Sequence, residues 1–241
     1  MSSILRSLVT RLATPTGLII VLAVGPVRGE PPVSPCTEDA MIVFDASGSM
    51  SGNMEGGIGT LKPRIDEVRG ALAEILPEAT RFRRVGLITY GPGPGEQCNV
   101  RLDLKPTANA ASQIMRDLDA LSPAGKTPLT TAVAKAADVL DYRKKPGMIV
   151  VLTDGEETCG ASPCELGKEL RAAAAQLTVH IIGFRMKDYS WTGEHSILDA
   201  KCLAEENNGL YLSAENRDDL VAALKATLDC PMLSDALTQR R

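Results

Sequence analysis

Asp45, Ser47 and Ser49 stand at alternate positions directly after an apolar run, in the segment Asp45-Ala46-Ser47-Gly48-Ser49-Met50. One carboxylate and two hydroxyls so spaced can converge on a single hard cation. Two further oxygen donors fall in separate segments. Thr127 lies in Gly125-Lys126-Thr127-Pro128-Leu129, just ahead of a Pro suited to a first helical turn. Asp154 ends a second apolar run in Leu152-Thr153-Asp154-Gly155-Glu156. Mg²⁺ seeks about six oxygens and seldom receives them all from protein, so two carboxylates and three hydroxyls leave a position open. An open position on such an ion attracts a carboxylate from a partner. That is a binding device, and it needs no nucleophile or base.

The elements that must position these residues follow from the apolar pattern. Met41-Ile42-Val43-Phe44 and Met148-Ile149-Val150-Val151-Leu152 are apolar at every position, as central strands of a parallel sheet must be. Strands are expected over 40–44, 84–90, 99–104, 148–152, 178–184 and 210–213. Steps of three and four at Ile65, Val68, Leu72 and Ile75, at Ile114, Leu118 and Leu121, and at Leu129, Val133, Ala136 and Leu140 mark three helices. Three more fit over 164–177, 194–207 and 217–228, with Asn216 as N-cap of the last and Asn208-Gly209 ending the one before. Only the Gly-Pro-Gly-Pro-Gly loop, 91–95, and a few polar residues separate the second and third strands. That is a hairpin connection, so the third strand should run antiparallel to the rest. The fold class expected is α/β: a doubly wound, mostly parallel six-stranded sheet with one antiparallel edge strand and helices on both faces. In such sheets ligands bind beyond the carboxyl ends of the strands. The loops after Phe44, Tyr90 and Leu152 are therefore the places to look.

This arrangement resembles the von Willebrand factor type A domain over most of residues 37–230. In that family an Asp-x-Ser-x-Ser motif, a Thr from a second loop and an Asp from a third build a metal-ion-dependent adhesion site. The matching positions here are Asp45, Ser47, Ser49, Thr127 and Asp154. The resemblance implies strand order 3-2-1-4-5-6. It also implies a divalent cation, Mg²⁺ first with Mn²⁺ or Ca²⁺ as alternatives, and a protein ligand presenting an Asp or Glu. The segment Thr153-Asp154-Gly155-Glu156-Glu157-Thr158-Cys159 is most similar to that of exported bacterial single-domain members.

Composition narrows the rivals. The chain has 241 residues, 44% hydrophobic and 23% charged, with a formal charge of −4. That supports one well-buried core and offers no basic face for nucleic acid. A phosphate-loop ATPase would need a Gly five residues before Gly125, where Ala120 stands, and a strand before the loop. A hydrolase would need a base beside a nucleophile. His180 lies within an apolar strand and reads as a core residue, His195 opens a helix pattern, and no Gly-x-Ser-x-Gly elbow occurs. A zinc cage would want closer Cys pairs than Cys159 and Cys164. Glu156 and Glu157 read as a solvated acidic loop. A non-enzymatic, cation-dependent protein-binding module is the expectation. Its alternative is a scaffold whose metal only stiffens the loops.

Residues 1–29 read as a secretory signal peptide: Arg6 and Arg11, an apolar run over 17–25, then Pro26-Val27-Arg28-Gly29. The run is shorter than the roughly 20 residues a spanning helix needs. A Pro-rich lead-in over 30–36, a domain over 37–230 and a tail over 231–241 complete the expected organisation. Losing Arg6, Arg11 and Arg28 and no acid takes the formal charge from −4 to −7. Export to the periplasm or medium makes disulfides plausible for the six cysteines. Cys36 and Cys230 should join the ends of the domain, and Cys159 and Cys164 should pair across the 160–163 turn. Cys98 and Cys202 are then left over. The alternatives join Cys98 to Cys159 or Cys164, and the remaining loop cysteine to Cys202. N-terminal sequencing of protein recovered from an envelope or medium fraction should begin at Glu30. A start at Met1 or Ser2 would overturn the signal peptide.

Overall fold

The structure, a computed structural model, describes residues 38–52, 62–93, 97–186 and 196–228. Six strands form one sheet: β1 (Asp39–Asp45), β2 (Val85–Tyr90), β3 (Val100–Thr107), β4 (Pro146–Thr153), β5 (Gln176–Phe184) and β6 (Tyr211–Ala214). Their order is β3-β2-β1-β4-β5-β6, with only the β2–β3 pair antiparallel. Both the order and the single reversed edge strand are as expected. The helices are α1 (Arg64–Phe82), α2 (Ala111–Asp119), α3 (Leu129–Val139), α4 (Pro163–Ala173), α5 (Ser196–Glu206) and α6 (Arg217–Leu228).

Alternate side chains of the central strands feed two separate cores. From β1, Ile42 and Phe44 pack in the core with Leu72 and Leu76 of α1, Ile114 of α2 and Leu224 of α6. Met41 and Val43 belong to the other core, with Val133 of α3, Leu170 of α4 and Leu203 of α5. Every position of β1 from Ala40 to Asp45 is buried, which is why that run shows no alternation in the sequence.

Boundaries differ where tertiary contacts override local pattern. The fourth helix ends at Ala173 rather than 177, because Ala174 is extended and Gln176 already pairs with Pro146. The hairpin strand runs on to Thr107 and contains Pro106, which an edge strand tolerates because one side of its backbone lacks a neighbour. At the end of α5, Asn208 adopts a left-handed φ of 55° and Gly209 N–H donates to Ala204 O, so the expected stop is there. Asn216 accepts from Asp218 and Asp219 N–H at 2.9 and 3.0 Å, capping α6. The expected start of the fifth helix at 194 lies outside the described residues.

The cysteine pairing across the 160–163 turn is not formed. Cys98 joins Cys159 with Cα atoms 6.1 Å apart, and Cys164 joins Cys202 at 5.1 Å. Cys159 faces the hairpin loop, whereas Cys164 has entered the first turn of α4 and meets α5. Proximity in sequence is therefore overridden by the helix start between the two residues. Cys36 and Cys230 lie outside the described residues.

His180 is buried in β5, and its Nδ1 accepts the Leu210 N–H at 3.1 Å. Burial, aided by the positive charge of Arg83, holds its pKa below the ordinary histidine value. The unfolded chain therefore takes up a proton before the folded one does, and this contribution to stability is lost as pH falls below about 6.5. Urea denaturation of wild type and His180→Gln at several pH values between 7 and 5 should show a shallower loss in the variant. Equal slopes would remove His180 from the acid response.

Candidate metal centre

Asp45 is the last residue of β1 and pairs in register with Tyr90, the last of β2. On the other side Phe44 pairs with Leu152 of β4, which places Asp154 one residue past the end of that strand. Ser47 and Ser49 follow Asp45 into a short 3₁₀ turn, Gly48–Ser51. The loops interlock through backbone bonds. Ala46 N–H donates to Tyr90 O (2.8 Å), Ala124 N–H to Ala46 O (3.1 Å) and Gly48 N–H to Gly125 O (3.0 Å), while Gly125 N–H reaches Gly91 O (2.7 Å). Gly91 has a φ of 80°, and a Cβ there would lie 2.6 Å from Ser47 N and Cα. Only glycine lets the hairpin loop press so closely on the Asp-x-Ser segment.

The five residues singled out in the sequence come together. Ser47 Oγ and Ser49 Oγ are 3.0 Å apart, and Ser49 Oγ donates to Asp154 Oδ1 at 2.6 Å. A Cβ built on Gly155 would lie 3.5 Å from Ser49 Oγ and 3.8 Å from Thr127 Oγ1, which brings the second loop to the same spot. Asp45 Oδ1 accepts from Ser47 N–H (2.8 Å), and its Oδ2 accepts from Tyr90 OH (3.0 Å) and Thr153 Oγ1 (2.8 Å). Asp154 Oδ2 accepts from Arg64 Nη1 at 2.9 Å.

The electrostatics are those of two acids confined together. Asp45 is fully buried, and desolvation, then the charge of Asp154, raise its pKa from 3.8 to about 6. Asp154 is raised too, chiefly by burial, against the pull of Ser49 and Arg64. Tyr90 is held well above its usual value, first by burial and then by the charge of Asp45. A positive charge placed among these oxygens relieves both acids at once. The donor set is oxygen only, and the Arg64 guanidinium already stands where a cation would be welcome. These observations fit a hard divalent ion. Among the described residues there is no group of three or more His, Cys, Asp or Glu that could hold a metal otherwise.

Residues 40–157 match the von Willebrand factor type A domain. The chain carries a domain of that family. A Bacillus subtilis protein, the uncharacterized YwmC, is 29% identical over 74% of this chain and 78% of its own length. Among solved structures, an aerotolerance-related membrane protein from Bacteroides fragilis superposes with a TM-score of 0.56 at 18% identity, covering 79% of this chain and 98% of that one. The proximal thread matrix protein 1 of the mussel byssus, in a structure with a zinc-occupied MIDAS motif, gives 0.56 at 17% identity, covering 81% of this chain and 48% of that one. At such identities the two structures establish the fold.

Sequence reasoning missed several residues around the family motif. Tyr90 and Thr153 carry hydrogen bonds to Asp45, and both sit at strand ends beside it, so the expected register was the signal available. Glu157 is not a solvated acid. Its carboxylate accepts from Thr130 N–H at 2.8 Å and Cys159 N–H at 2.7 Å, capping the first turn of α3 from 27 residues away. Thr158 Oγ1 accepts from Thr127 N–H at 2.8 Å, tying the second loop to the third. Removing the phenol donor in Tyr90→Phe should destabilise EDTA-treated protein by roughly 1.5–3 kcal/mol, the usual worth of a hydrogen bond to a charged group. Denaturant titration measures it. An unchanged midpoint would show that Asp45 does not depend on that bond.

Proposed function

We propose that this domain is an exported, divalent-cation-dependent protein-binding module. Asp45, Ser47, Ser49, Thr127 and Asp154 hold one Mg²⁺ or Mn²⁺, and an Asp or Glu of a partner protein completes its coordination. The observation that carries the reading is the convergence of three loops on two buried carboxylates, with the hydroxyls of Ser47, Ser49 and Thr127 gathered beside them. The cation supplies a Lewis-acidic point of attachment when bound. Asp45 and Asp154 supply its charge balance, and the three hydroxyls add geometry.

The residues present suit binding better than turnover. His180 is committed to a backbone N–H, and the Ser47 and Ser49 hydroxyls bond to each other and to the Asp154 carboxylate. Export is supported by the basic, apolar and small-residue start of the chain and by two disulfides among the described residues. Among those residues no helix is long and apolar enough to cross a membrane.

Calorimetric titration of EDTA-stripped protein with Mg²⁺ and Mn²⁺ tests the metal. Asp45→Ala should abolish binding yet remain folded by circular dichroism, because both cores are built elsewhere. Thr127→Ala should weaken it less, and partner capture from an envelope fraction should depend on the cation in both wild type and Thr127→Ala. Equal heats from wild type and Asp45→Ala would overturn the reading.

A further inference from the structure

Both oxygens of Asp154 are already engaged, and by donors of different kinds. Ser49 Oγ donates to Oδ1 at 2.6 Å, and Arg64 Nη1 donates to Oδ2 at 2.9 Å. A hydroxyl can rotate its hydrogen away and offer a lone pair to an arriving ion. A guanidinium has donors only and stays charged, so it must move or share the carboxylate with the ion.

Arg64 is placed to do this. It is the first residue of α1, and its helix start is fixed against the end of the Asp-x-Ser loop. A Cβ on Gly52 would lie 3.3 Å from Pro63 Cα and 3.5 Å from Arg64 N. The Asp154 side chain is 0% exposed and that of Arg64 is 22% exposed, so one partner is locked while the other has a route to water. Arg69, five residues on, differs: its guanidinium bonds to Leu118 O, Leu121 O and Asp66, tying α1 to α2 and to itself. Among the described residues, the Arg64 guanidinium hydrogen-bonds and ion-pairs with Asp154.

We infer that Arg64 is an internal competitor for the cation: its guanidinium neutralises Asp154 until a divalent ion displaces it. The inference rests on the metal reading of the preceding section and adds a residue that sets its affinity. With the two acids and Arg64 the site carries a net formal charge of about −1. A divalent ion entering while Arg64 stays tethered nearby turns that to about +1, a charge one partner carboxylate balances. Arg64 therefore opposes the ion alone and favours the ion together with an acidic ligand.

The test uses the full EDTA-stripped protein and Mn²⁺ alone as probe, at fixed ionic strength. Free Mn²⁺ is read by electron paramagnetic resonance and heats by calorimetry, for wild type, Arg64→Met, Arg64→Gln and Arg64→Lys. The two neutral variants should bind Mn²⁺ about tenfold tighter, the size expected for releasing one charge-assisted, partly exposed contact. Arg64→Lys should stay within a few-fold of wild type. Thermal melting should cross over: the neutral variants melt below wild type in EDTA and level with or above it in saturating Mn²⁺. Neutral variants that bind Mn²⁺ no tighter than a binding-competent wild type overturn the competition while leaving the metal site standing. If no protein binds, both readings fall. If only the neutral variants bind, the competition holds in its strongest form.

Discussion

The burial of Asp45 and Asp154 at the ends of two adjacent parallel strands is the constraint around which the upper end of the sheet is organised. A carboxylate withdrawn from water costs several kcal/mol unless its oxygens are supplied with donors, and two facing acids add repulsion to that cost. Tyr90 and Thr153 supply Asp45 from the neighbouring strands, and Ser47 supplies it from its own loop. Ser49 and Arg64 supply Asp154 from outside its strand. Four segments of chain are drawn together because the acids need them.

Such a site stands on loops, which ordinarily wander more than the elements they connect. Here the loops are fastened to one another before any ligand is considered. The hairpin loop presses on the Asp-x-Ser segment at Gly91, and the Thr127 loop hydrogen-bonds to both. Thr158 and Glu157 then anchor the Thr127 loop and the start of α3 to the segment after Asp154. Hydroxyls held this way have little freedom left to lose when they take up a ligand, which is the physical content of preorganisation.

The strands and most helices were legible because both cores draw on uninterrupted apolar runs and on steps of three and four. The antiparallel edge followed from a loop too short for a crossover. The convergence of the five oxygen-bearing residues was legible because Asp45, Ser47, Ser49 and Asp154 stand at the ends of β1 and β4, Thr127 stands just ahead of α3, and their order follows a family motif. Arg64 was not: it stands one residue ahead of the Ile65, Val68, Leu72 and Ile75 steps, and a lone Arg at such a place carries no spacing signal. Glu157 was misjudged because Thr130, whose N–H it accepts, lies 27 residues away along the chain and comes near only when the fold closes. Of the cysteine pairings left open, the alternative joining Cys98 to Cys159 and Cys164 to Cys202 is the one formed, and the Cys159–Cys164 pair is not, because a helix start divides two residues close in number.

The Cys98–Cys159 bond closes a loop of 61 residues and crosses from the hairpin loop to the segment that follows Asp154. In the chain-entropy account such a closure stabilises by roughly 4 kcal/mol. Its position gives it a second meaning, in the order of manufacture. The apolar burial that builds the sheet needs no oxidant, but the two loops at its upper rim are joined covalently only when an oxidant has acted. Protein kept in a reducing compartment keeps the apolar surfaces that build the strands and lacks this covalent tie at the rim.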